Sequence, residues 1–156
     1  MIASTKDQSK RLLRCGVSAD TADMCWYIES GEINIEKLRL DTELIGCSYD
    51  DPKRHYEYIP AWSLSRLLGL LPKEIDIDGY PYRISIYFEN PNEPVIGNQW
   101  CLYYKPKKHN EKSRIDDVPM YAPDLIECAV QMIIWLINYG YKLNGIEKGG
   151  SEHGED

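Results

Sequence analysis

Three histidines, five cysteines and a few clustered carboxylates are the groups through which this 156-residue chain could do chemistry. Their spacing argues against most of it. His55, His109 and His153 are not paired at helical or zinc-ligand spacing. Cys15, Cys25, Cys47, Cys101 and Cys128 are scattered without a CxxC pair, which suits free thiols used as small buried hydrophobes. A triad of His55 with a distant cysteine or serine stays open, because triad members need not be neighbours in sequence. A small hydrolase or transferase centred on His55 is therefore one alternative function. No nucleophile elbow, Walker loop or GxGxxG supports it.

The carboxylates have structural explanations. Asp76-x-Asp78-Gly79 invites a calcium-loop reading, but alignment with an EF-hand puts Ser85 where the bidentate glutamate belongs. A two-residue hairpin turn at Asp78-Gly79 accounts for the same residues. Asp116-Asp117 falls in a loop. Asp124 and Glu127 fall in a first helical turn, where negative charge complements the helix dipole. No metal, cofactor or catalytic residue is expected, and the balance leans away from an enzyme.

The net charge of -7 argues against general nucleic-acid binding. The exception is local: Lys105, Lys107, Lys108, Lys112 and Arg114 crowd one segment, with His109 among them. Charge blocks are usually solvated loops. The alternative is phosphate contact here, with tyrosines stacking on bases. Those tyrosines are the sharper compositional fact, twelve against a single phenylalanine, Phe88. A buried core gains nothing from so many hydroxyls, whereas half-wet sheet faces and recognition surfaces do.

Size permits one domain, since a chain of this length buries roughly 70% of its unfolded surface without staples. The expected limits are residues 1–146 for the domain and a disordered charged tail over 147–156. No apolar run reaches membrane-spanning length. The polar N-terminus lacks a secretory signature, and with the free thiols this points to the cytoplasm.

The elements follow from local pattern. Residues 5–15 predict a helix capped by Ser4, and 18–21 a turn. Met24 to Ile28 predicts a strand. Residues 33–45 fit a bulged strand or a short helix, because Ile33/Ile35 and Leu38/Leu40 alternate out of phase. Tyr56 to Ile59 predicts an extended entry to a leucine-rich helix bracketed by Pro60 and Pro72. With Ser63 as its N-cap, Leu64, Leu67, Leu68 and Leu71 form the core stripe and Trp62 can staple onto Leu67. With a start at Pro60, Trp62 instead stacks outward on Arg66.

Glu74 to Ile77 and Tyr80 to Glu89 predict a hairpin, and Gln99 to Lys105 a third strand, giving an antiparallel meander. Tyr80, Tyr82, Ile84, Ile86 and Phe88 share one face of the second strand; Tyr87 lies on the other. Asp124 to about Tyr139 predicts the longest helix, started near Pro123 and stopped by Gly140. Ile134 falls in its polar stripe and Trp135 at the stripe's edge.

Ile59-Pro60-Ala61-Trp62-Ser63-Leu64-Ser65-Arg66-Leu67-Leu68, Thr21-Ala22-Asp23-Met24 and Ala129-Val130-Gln131-Met132-Ile133-Ile134-Trp135-Leu136 together resemble small proteins of prophages and mobile elements from anaerobic gut bacteria. The resemblance covers most of residues 5–140. It carries no activity and implies only an accessory or host-interaction role.

The expected fold is α+β: a small antiparallel sheet of three to five strands against about three helices. The leading function is a non-enzymatic interaction module with a protein partner or a second copy, and no membrane contact. Trp62, Arg66, Ile134, Trp135, Tyr87 and Tyr103 are its candidate contact residues.

Overall fold

A computed structural model describes residues 2–30, 35–40, 55–89, 99–107 and 118–145. The α+β class holds, with three α-helices and two antiparallel sheets. Helix α1 (Lys6–Arg14) precedes a 3-10 turn (Ala19–Thr21) and strands β1 (Met24–Ser30), β2 (Ile35–Leu40) and β3 (His55–Ala61). Helix α2 (Leu64–Leu70) leads to β4 (Glu74–Ile77), β5 (Tyr80–Glu89), β6 (Gln99–Pro106) and β7 (Val118–Ala122), and α3 (Leu125–Asn138) follows. The second sheet, ordered β4-β5-β6-β7, is the expected meander with one strand more. The first, ordered β2-β1-β3, stands apart from it. The ambiguous stretch near residue 35 joins that first sheet as β2, opposite β1 in continuous register. The expected tail over 147–156 lies outside the described residues.

Helix α1 starts one residue later than its sequence suggests. Thr5 is the N-cap, in a capping box: its Oγ1 accepts from the Gln8 amide at 3.2 Å, and Gln8 Oε1 accepts from the Thr5 amide at 2.8 Å. Ser4, the expected cap, is instead fully buried. Its amide donates to the Trp62 carbonyl at 2.8 Å, and its Oγ accepts from the Trp62 amide at 3.0 Å. The chain just before α1 thereby clamps the chain just before α2. Pro60 is tolerated in β3 because that strand is an edge, paired with β1 alone among the described residues.

One continuous core joins the second sheet to all three helices. Helix α3 lies on β6 and β7 and packs against α1 and α2. Leu102, Tyr104 and Ala122 meet Ile126, Met132, Ile133 and Leu136 there, all buried. Leu67, Leu70 and Leu71 of the α2 region plug the same core. Leu64 and Leu68 pack at its margin, so the buried stripe is rotated toward Leu70 relative to the expected one. Past α3, Asn144 seals the open end of α2: its amide donates to the Leu70 carbonyl and its Nδ2 to the Leu71 carbonyl at 2.8 Å.

The hairpin turn is of the left-handed type that its sequence demands, with φ of 52° at Asp78 and 83° at Gly79. Asp76 Oδ1 accepts from the Gly79 amide at 2.7 Å. A methyl group at Gly79 would meet nothing, so its cost is purely backbone. Gly79→Ala is expected to lower stability by about 1 kcal/mol, read as a shifted urea midpoint with unchanged slope.

Candidate functional site

Among the described residues the groups suited to catalysis are spread through the fold, and several of them hold it together. Cys25, Cys101 and Cys128 are buried and Cys15 is half-buried. Burial pushes the Cys128 thiol up to about 11, and its Sγ donates to the Trp100 carbonyl at 3.2 Å. A thiol so placed is a packing group, since reactive cysteines are lowered and accessible. Asp124 is the N-cap of α3 and accepts from the Glu127 amide at 2.9 Å, with Pro123 just outside. Asp76 is used by the hairpin. His55 begins β3, but its side chain lies outside the described residues, as do His109, His153, Cys47 and Asp116-Asp117. Among the described residues no three His, Cys, Asp or Glu side chains are grouped to hold a metal ion. Among the same residues no helix is long and apolar enough to cross a membrane.

Trp62 is not a surface residue, which corrects its place among the candidate contacts. Ser63 caps α2, its Oγ accepting from the Arg66 amide at 3.1 Å. Trp62 therefore sits just before the cap, at 0% exposure, in the same buried cluster as Leu67. Its indole Nε1 donates to Thr21 Oγ1 at 2.9 Å, and Thr21 donates onward to the Ser18 carbonyl at 2.7 Å. Arg66 is exposed but does not stack on Trp62; its Nε donates to the Thr21 carbonyl at 2.5 Å. Asp23 completes the junction, accepting from the Ser63 amide at 2.8 Å and the Ser63 hydroxyl at 2.5 Å. The Thr21-Ala22-Asp23 and Trp62-Ser63 segments are thus two halves of one structural joint.

The polar stripe of α3 also has a partner. Glu127 faces α1, accepting from Arg11 at 2.8 Å and from Gln8 Nε2 at 2.7 Å. Ile134 and Trp135 are half-buried and packed against the core margin. Trp135 lies against Tyr139 and Tyr141, with ring centroids 4.9 and 5.6 Å away. Part of its surface is thus taken up by the chain's own rings.

The basic segment is described as far as Lys107. Lys105 is exposed and opposite Arg83 on the outer face of the second sheet. Lys107 Nζ binds Glu74 at 2.6 Å, and Arg83 lies 3.5 Å from the same carboxylate. The hydrogen bond from Lys107 holds the Glu74 carboxyl below its usual range. Lys108, Lys112 and Arg114 lie outside the described residues.

What the structure does assemble is an aromatic corner where β5 and β6 run beyond β4. Tyr87 and Tyr103 meet edge to face at 5.5 Å on the outer face, as their alternation implies. On the opposite face Phe88 meets Trp100 at 5.1 Å. Phe88 is 48% exposed, Ile86 39% and Tyr87 38%. Ile86 and Phe88 share the face that at Tyr82 is core, yet nothing described covers them. Alternation placed them correctly but does not tell where a covering element stops. The signal lay in strand length: Pro72 and Asp78-Gly79 confine β4 to a short segment, so β5 must outrun it. Comparison of the chain with models of known protein families, with curated proteins and with solved structures finds no match.

Proposed function

We propose that the protein is a non-enzymatic interaction module that binds a protein partner through the Ile86, Phe88 and Trp100 corner. The observation that supports this is apolar side chains standing open on a strand whose other end is sealed in the core. Finishing the burial of the Ile86 and Phe88 side chains would contribute on the order of 2 kcal/mol. Aromatic anchors of this kind concentrate binding energy at protein interfaces. The resemblance to prophage and mobile-element proteins supports an accessory role in the same sense.

The test is a photoreactive phenylalanine analogue at position 88, with Lys142, exposed elsewhere, as the control position. Illumination of the intact chain in cells is expected to give a discrete protein adduct from position 88 and none from position 142. Absence of an adduct at 88 would overturn the proposal.

A further inference from the structure

We infer that the occupant of this corner is a second copy of the chain, added to the open edge of β5; the inference rests on the interaction reading above. The edge is defined by hydrogen-bond direction. The Ile84 amide donates to the Lys73 carbonyl, toward β4, while the Pro81 carbonyl accepts from the Lys107 amide, toward β6. Backbone groups alternate sides along a strand, so those of Ile86 and Phe88 point away from β6. The β4 ladder ends at Arg83, and no described residue continues it beside residues 85–89.

That gap fits itself. An antiparallel pairing about a two-fold axis at Tyr87 sets Ile86 opposite Phe88 of the second copy, and Phe88 opposite its Ile86. Each pair exchanges both of its N–H···O bonds, the alternation that an antiparallel ladder requires. Position 89 then faces Ser85, so residues 85–89 are filled by the same residues of the second strand, which ends before the place held by Lys73. No like charges are brought opposite, and the apolar pair Ile86 and Phe88 is matched across the axis. Among the described residues no strand or helix covers this edge. Between Ser85 and Phe88 there is no lysine, proline or glycine, and the β5–β6 register runs without a bulge. The product is one eight-stranded sheet with an isologous interface. The ribbon pairs only residues 85–89 of each copy, so the dimer is expected to form as concentration rises.

Sedimentation equilibrium of the purified full-length chain tests this. The weight-average mass is expected to climb from the monomer toward twice its value as concentration rises. Ile86→Pro removes an amide that points only to the open edge and leaves the β6 ladder whole, so it should weaken the dimer at least about tenfold. Phe88→Lys should do the same by placing a charge on the edge, and circular dichroism checks that both variants fold. A strict monomer at millimolar concentration, or a dimer unchanged by both substitutions, overturns the inference. The photoadduct separates the two proposals. An adduct of twice the chain mass supports self-pairing. One of any other mass overturns self-pairing but leaves the interaction surface standing.

Discussion

Trp62→Ala is expected to lower the unfolding free energy by about 3–5 kcal/mol, the largest single-residue effect in this protein. The side chain is fully buried where α1, α2 and the 3-10 turn converge, so its removal leaves a cavity that those elements cannot close without shifting. Small domains carry roughly 5–15 kcal/mol in total, so the variant should populate unfolded chain detectably at moderate temperature. Trp62→Phe separates packing from polarity. It keeps most of the ring but deletes the Nε1–H that Thr21 accepts. Thr21 still donates to the Ser18 carbonyl, so the loss should be smaller, about 1–2 kcal/mol. Urea unfolding of the three proteins measures both terms. Trp62→Ala within about 1 kcal/mol of the parent would mean that the indole is not part of the core.

That side chain also marks where sequence reasoning reached its limit. Ser63 was identifiable as the α2 cap from residue type, and fixing the cap put Trp62 at the position before it. Whether that position faces core or water depends on what lies alongside, and the neighbours are Thr21 and Ser4, distant in sequence. The same limit displaced the α1 cap. Thr5-x-x-Gln8 is a capping-box pattern, but Ser4 carries the same chemistry one residue earlier. What excludes Ser4 is its use by the Trp62 backbone, a tertiary fact.

Alternation along β5 gave the face of every described side chain correctly, and Asp78-Gly79 gave the turn. Neither reveals how far α3 extends over that face, because helix placement is set by packing between elements rather than by strand periodicity. Ile134 and Trp135 are half-buried for a related reason. A helical wheel assigns polar and apolar stripes relative to one neighbour, but α3 has three, the sheet, α1 and α2, so its polar stripe is an interhelical contact.

That contact should make stability depend on acid, and Glu127 is the group responsible. Burial alone would raise its carboxyl, but hydrogen bonds from Arg11, Gln131 and Gln8 outweigh it and hold the group below the usual glutamate range. Gln8 is 7% exposed and serves twice, its Oε1 closing the α1 capping box while its Nε2 binds Glu127. A carboxyl lowered in the folded state stabilises fully above its unfolded pKa, and that contribution is lost as pH falls through the folded value. Acidification from neutral pH should therefore leave the urea midpoint unaffected by this group until the ordinary carboxylate range is reached. Below it, this contribution should decline. Glu127→Ala removes the acceptor and strands Gln8 Nε2 and the Arg11 guanidinium. The expected cost at neutral pH is about 2–3 kcal/mol, as for a partly buried bond to a charged group. Glu127→Gln preserves shape and one acceptor oxygen, so it should lose less at neutral pH. Neither variant should show the acid-dependent decline that Glu127 contributes to the parent. The comparison is made at each pH against the parent protein, so other carboxylates cancel. If the parent and Glu127→Gln lose stability in parallel on acidification, the ionised Glu127 is not what fastens α1 to α3.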